Sequence, residues 1–83
     1  MNKEEILTKL KPIIADRLSV HESEITEDKT LSDLHADSLD AVDVIMEIEK
    51  AFDIAIPDAD MENLTTIKSI VDYIESHTKN NNP

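Results

Sequence analysis

Three stretches of this 83-residue chain carry apolar residues at helical spacing, and nothing between them alternates with the period of a strand. Ile6, Leu7, Leu10, Ile13, Ile14 and Leu18 define the first, the run 38–52 the second, and Ile67, Ile70, Val71 and Ile74 the third. Pro12 falls inside the first helix, off its apolar stripe. It has no N–H for the carbonyl of Thr8 and predicts a kink, at about 3 kcal/mol if nothing relaxes. Pro57 stops the chain after Ile54-Ala55-Ile56, so Asp58 to Asn63 makes at most a short helical turn, with Asp58 as its cap. Thr65 or Thr66 is placed to cap the last helix. The expected fold is all-α, a small helical bundle of three main helices, one short helix and a long first loop. Residues 1–77 form a single domain, and the polar tail 78–83, with three consecutive asparagines, is expected to be disordered.

The loop, residues 19–36, has no sustained periodicity, but Val20, Ile25, Leu31 and Leu34 are spaced to pin it to the core. A chain of this size buries only about 60–65% of its unfolded surface, which leaves little room for a deep catalytic cleft. With no cysteine there is neither a disulfide framework nor a cysteine-based metal site. The N-terminus lacks the apolar core of a signal peptide, and no run approaches the roughly 18 residues of a membrane span. The expectation is a cytoplasmic monomer with no membrane contact.

Acidity is concentrated in the middle. Residues 21–62 hold fourteen acidic side chains against Lys29 and Lys50, a net of −12 in a chain whose total is −11. Nucleic acid is a poor partner for such a surface, since phosphates need Lys and Arg. Basic proteins are good ones. Self-repulsion at this density is expected to keep stability low, and salt or a divalent ion should raise it. Mild acidification should also help, provided that the clustered acids have folded pKa values above their unfolded ones.

The second helix, with Asp37 as N-cap, carries two apolar stripes. At about 100° per residue, Ala41, Ile45, Ile48 and Phe52 fall within roughly 60° and form the core face. Leu39, Val42 and Met46 form another stripe roughly 120° away, flanked on its far side by Asp40, Asp43 and Glu47. One helix of so short a chain rarely buries both. The second stripe therefore reads as an exposed patch rimmed by carboxylates, which usually means a partner.

At the head of this helix stands Ser38, in the run Leu34-His35-Ala36-Asp37-Ser38-Leu39-Asp40. A serine there lies at the positive end of the helix dipole, where free amides favour an attached phosphate. By itself such a serine is most simply a helix cap. The run Asp-Ser-Leu before an acidic helix resembles the prosthetic-group site of acyl carrier proteins. The resemblance continues through Ile45-Met46-Glu47-Ile48-Glu49-Lys50-Ala51-Phe52, Ile56-Pro57-Asp58 and Leu64-Thr65-Thr66 to Asp72-Tyr73-Ile74.

It implies an acyl-carrier-like bundle that is a carrier and no enzyme. It further implies that a phosphopantetheinyl transferase attaches 4′-phosphopantetheine to Ser38 as a phosphodiester, and that acyl groups ride on the arm as thioesters. Asp37 would help orient the transferase or its metal ion. Asp37, Asp40, Asp43 and Glu47 would meet basic surfaces of ketosynthases and acyltransferases in fatty-acid or related lipid synthesis, and Leu39, Val42 and Met46 would supply the apolar contact. Ile45, Ile48, Phe52, Ile56, Leu64, Ile67, Ile70, Val71 and Ile74 would line an interior open to a short acyl chain. A carrier for a specialised pathway (polyketide, aminoacyl or peptidyl, lipid A) is the alternative within the class. An acidic helical interaction module without a prosthetic group is the alternative outside it.

Three positions depart from the family pattern. His35 and Ser19 stand where glycine is usual, and Lys50 stands where many members carry another acid. Two other chemistries fail on the residues. His35, Ser38 and Asp40 are too close in sequence to aim at one another as a triad. Asp58-Ala59-Asp60-Met61-Glu62 alternates like a calcium loop, but Asn63 and Ser69 occupy the positions that need Gly and Glu, so no dedicated metal site is expected.

Overall fold

Each main helix starts with a side chain that takes over the backbone amides the helix leaves unpaired. Asn2 opens α1 (Lys3–Leu18): its carboxamide oxygen accepts from the Glu5 amide at 2.9 Å, and Glu5 reaches back to the Asn2 amide. Asp37 and Asp40 make the same reciprocal box at the head of α2 (Ser38–Phe52). Thr66 and Ser69 make it for α4 (Ile67–Thr78), each hydroxyl accepting the other residue's amide. The short α3 (Asp58–Met61) has no such side chain. Its cap position is Pro57 and Asp58 is already helical, which corrects the expectation that Asp58 caps it. The computed structural model describes residues 2–78.

The expected order of elements holds, and among the described residues there is no strand, only a single Thr30–Thr66 bridge. α1 runs through Pro12 as one helix, with the proline exposed. Ile6, Leu10 and Ile14 are fully buried, while Leu7, Ile13 and Leu18 pack at the edge. They meet Val44, Ile45, Ile48 and Phe52 of α2 and Ile67, Ile70, Val71 and Ile74 of α4. Val44, absent from the predicted core face, is completely buried, whereas Ala41 is only partly so. The buried arc of α2 thus extends about 40° further, on the side away from the exposed stripe, than spacing alone suggested.

The long loop is more ordered than its lack of period implied. It holds two 3₁₀ turns, Glu22–Glu24 and Ser32–Leu34, and buries Ile25, Leu31 and Leu34. Its carbonyls cap the next element in space. Lys29 accepts the Ile67 amide at 2.8 Å and Glu27 that of Lys68 at 2.9 Å, so the start of α4 holds the loop where it turns toward Ser38. At the far end of α2, Lys9 donates to the Ala51 carbonyl at 2.7 Å and lies 4.8 Å over the Phe52 ring. A cation is favourable at that negative end of the helix dipole.

Thr78, placed in the tail from its sequence, is instead the last residue of α4. It is buried, and its hydroxyl donates to the Ile74 carbonyl. The rest of the expected tail, 79–83, lies outside the described residues.

Without glycine, the chain puts ordinary residues into the left-handed region at three places among the described residues: Ser19 (φ 55°), His35 (φ 68°) and Asp53 (φ 54°). Ser19 and Asp53 end α1 and α2, where the amides of Val20 and Ile54 reach back to the carbonyls of Ala15 and Glu49. His35 ends the second 3₁₀ turn, two residues before the cap of α2. A Cβ in this region costs roughly 1–2 kcal/mol.

Candidate functional site

Ser38 is the first residue of α2 and is exposed. Because Asp37 takes the Asp40 amide, the amides of Ser38 and Leu39 have no acceptor among the described residues. Ser38 likewise makes no side-chain hydrogen bond there. An uncommitted hydroxyl thus stands beside two free amides at the positive end of a fifteen-residue helix, which is an environment suited to a phosphodiester. Asp37 is spent on the helix start: its carboxylate is the cap.

Two grooves meet at Ser38. One, of about 400 Å³, runs past Thr30, Ser32, Ala36 and Thr65. The other, of about 420 Å³, runs past Val42, Ile45, Met61 and Leu64. Of the residues expected to line an acyl-accepting interior, only Ile45 and Leu64 border this second groove. Ile48, Phe52, Ile56, Ile67, Ile70, Val71 and Ile74 are packed into the core instead. Leu31, Ala41, Met61 and Glu62 complete the wall, and of these Met61 and Glu62 were singled out by no periodicity.

The far wall is α3, tied to α4 by the Tyr73 hydroxyl, which donates to Asp60 Oδ2 at 2.7 Å. Burial first, and then this bond and the Asp60 charge, push the phenol up to about 12. His77 stacks on the same ring at 3.9 Å.

The second stripe of α2 is exposed as its spacing predicted: Leu39 by 77%, Val42 by 45% and Met46 by 47%. Asp37, Asp40 and Asp43 take part in no ion pair among the described residues. Glu47 differs. Arg17 Nη2 of α1 bonds its Oε1, and Lys50 Nζ lies 3.9 Å away, so this carboxylate already has cations within its own chain. The pair joins residues thirty positions apart, and nothing in the sequence signals it.

His35 acts through its backbone. Its left-handed turn lets the Ala36 amide bond the Leu31 carbonyl at 3.0 Å and brings the chain round to Asp37, while its ring is exposed with no polar partner among the described residues.

The carboxylates whose titration is displaced all move downward, contrary to the expectation of raised values in the acidic region. Asp28 is held below the usual range by the Thr26 hydroxyl, Asp33 by the Thr30 amide and hydroxyl, and Asp72 by Lys3 and Lys68. Hydrogen bonds to the charged form outweigh repulsion at these positions. Among the described residues no group of three or more His, Cys, Asp or Glu is arranged to hold a metal ion, and no helix is long and apolar enough to cross a membrane.

Residues 8–74 match the family model described as a phosphopantetheine attachment site. The acyl carrier protein of Rubrobacter xylanophilus is 51% identical over 78 residues, covering 93% of this chain and 96% of that protein. That of Thermotoga maritima is 48% identical over 75 residues, covering 89% and 93%. The solved acyl carrier protein from Enterococcus faecalis, described for its high thermal stability, superposes with a TM-score of 0.76 at 34% identity, over 92% of this chain and 98% of that one. The chain belongs to the phosphopantetheine-attachment family, and within it to the acyl carrier proteins. These are carriers and not enzymes, and their prosthetic group is 4′-phosphopantetheine. The alternative of a helical module without a prosthetic group falls with this match.

Proposed function

We propose that Ser38 is the attachment residue, and that the chain carries acyl intermediates as thioesters to enzymes of fatty-acid or related lipid synthesis in the cytoplasm, working as a monomer. The observation that carries this reading is the position of Ser38: a free hydroxyl at the first turn of α2, where two grooves meet, in a chain of this family.

The phosphopantetheine arm, when bound, supplies a flexible thiol that holds the acyl group as a thioester. The chain's residues do the rest. The Ser38 oxygen provides the ester link, and the amides of Ser38 and Leu39 stabilise the negative charge beside it. Ser32 and Thr65 offer hydroxyls along one groove to a polar arm. Val42, Ile45, Met61 and Leu64 offer an apolar wall to a short acyl chain. Asp37, Asp40 and Asp43 steer basic partners, the transferase first among them, while Leu39, Val42 and Met46 take the apolar contact.

Intact mass is the test. Incubated with coenzyme A and a phosphopantetheinyl transferase, the chain should gain the mass of one phosphopantetheine, and Ser38→Ala should gain none while keeping its helical signal. A labelled Ser38→Ala protein would move the site elsewhere.

A further inference from the structure

The exposed strip of α2 passes from uncompensated to compensated charge along its length. In its first half Asp37, Asp40 and Asp43 stand without any cation within ion-pair distance among the described residues. In its second half Glu47 lies between Arg17 and Lys50, whose side chains are 42% and 72% exposed. Lys50 follows Asp43 by seven residues, so it lies on the same side of the helix about 10 Å further along. Asp53, at the C-cap, forms no ion pair with either cation. Two positive groups and two negative groups thus balance at the lower end, against three negative groups without a cation at the upper end. The separation is about a Debye length at 0.1 M salt, so a docked protein senses the two ends separately.

Resting on the docking reading above, we infer that Arg17 and Lys50 are specificity-determining residues. They withdraw Glu47 from the interface and confine the grip of a basic partner to the Ser38 end of α2. A partner suited to this carrier places its Lys and Arg against Asp37, Asp40 and Asp43, and a neutral or acidic group against Arg17 and Lys50. A partner that is basic along its whole docking face meets like charge at the lower end, which disfavours it.

The probe is a bacterial phosphopantetheinyl transferase with a uniformly basic docking face, assayed with coenzyme A and the full-length unmodified chain. Arg17→Gln/Lys50→Gln should lower KM about two- to fivefold at low salt, the scale of exposed charge pairs, with kcat unchanged. Adding Glu47→Gln should take back part of the gain, because the freed carboxylate supplies part of it and the loss of the two cations the rest. Lys11→Gln/Lys68→Gln, matched in net charge but placed on α1 and α4, should leave KM within about twofold. An unchanged or raised KM in the first variant, or the same gain in the charge-matched one, overturns the inference. Asp43→Asn separates this from the underlying reading: it should raise KM, and if it does not, the docking assignment itself has failed and the inference with it. Thermal melts of all variants confirm folding, and Arg17→Lys, which keeps the cation, should retain the wild-type KM.

Discussion

Two acidic surfaces of this protein have opposite fates. On the α1–α4 side Asp72 sits between Lys3 and Lys68, each with Nζ 3.0 Å from one of its oxygens. Asp72 titrates lower than usual and Lys3 higher. At the head of α2, Asp37, Asp40 and Asp43 receive amides or nothing, and no cation among the described residues. The first arrangement is settled within the fold and ties one helix to another. The second is left open, beside an exposed apolar stripe. Charge that a fold answers internally belongs to structure, and charge that it leaves unanswered is available to a partner.

The sharpest way to break the contrast is to reverse one charge on the open surface. Asp43→Lys should weaken binding to the transferase about tenfold, some 1.4 kcal/mol. Its melting temperature should stay level or rise, because repulsion is relieved. Added NaCl should stabilise the wild type more than this variant. A variant that binds normally but melts early would place Asp43 on the settled side.

Tyr73 belongs to the settled side, and Tyr73→Phe should cost about 1 kcal/mol in denaturant melts by removing the bond to Asp60. The same phenol makes stability depend on alkaline pH. Its folded pKa, about 12, lies above the ordinary value of 10.0, so the folded form keeps its proton longer than the unfolded one. Its contribution is whole below pH 10 and is lost as pH rises toward 12. With one tyrosine and no tryptophan in the chain, ultraviolet titration reads this group alone, and the phenylalanine variant should lack the alkaline loss.

Backbone strain is a smaller term. Ser19→Gly removes a Cβ from a left-handed helix end, and should stabilise by about 0.5–1 kcal/mol once the greater freedom of unfolded glycine is deducted. A variant less stable than wild type would mean that the serine side chain contributes more than its backbone strain removes.

The smallest effect, and the one that reverses an expectation, is at acid pH. Asp28, Asp33 and Asp72 have folded pKa values below the ordinary value of 3.8. Their contribution is present above that value and lost as pH falls through the lower folded ones. Acid should therefore erode stability at these positions, and Asp72→Asn should flatten the slope below about pH 4. A melting temperature that climbs throughout acidification would show that repulsion at the open surface outweighs all three.

What could be read in advance follows from which interactions are local. Helical spacing located α1, α2 and α4, and the same geometry separated the buried stripe of α2 from Leu39, Val42 and Met46, because both depend only on neighbours within the helix. A cap at Thr65 or Thr66 was legible for the same reason, and Thr66 is the one that serves. Val44 was missed because the direction from which α1 and α4 approach decides how far the buried arc extends, and that direction is not written in the helix's own period. The Arg17–Glu47 pair, the Tyr73–Asp60 bond and the loop carbonyls that receive the first amides of α4 all join distant parts of the chain. The departures from glycine at Ser19 and His35 were visible, and both proved to be left-handed. Asp53 took the same conformation unannounced.

The short helix α3 has a consequence for how cargo space is made. It is four residues long, has no side-chain cap, and is fastened by one phenol–carboxylate bond and the half-buried Met61. Segments held this lightly open locally, at a free energy well below that of global unfolding. Amide hydrogens of residues 59–63 should therefore exchange with solvent long before those of Ile48 or Ile70. Each such opening moves Met61 away from Ile45 and Leu64 and enlarges the groove beside Ser38, while the core between α1, α2 and α4 stays closed. On the proposed reading, capacity and foldedness are thereby governed by largely separate parts of the molecule, so a change in α3 that spares the Tyr73–Asp60 bond retunes the volume available to a guest at little cost to the equilibrium that keeps the bundle folded.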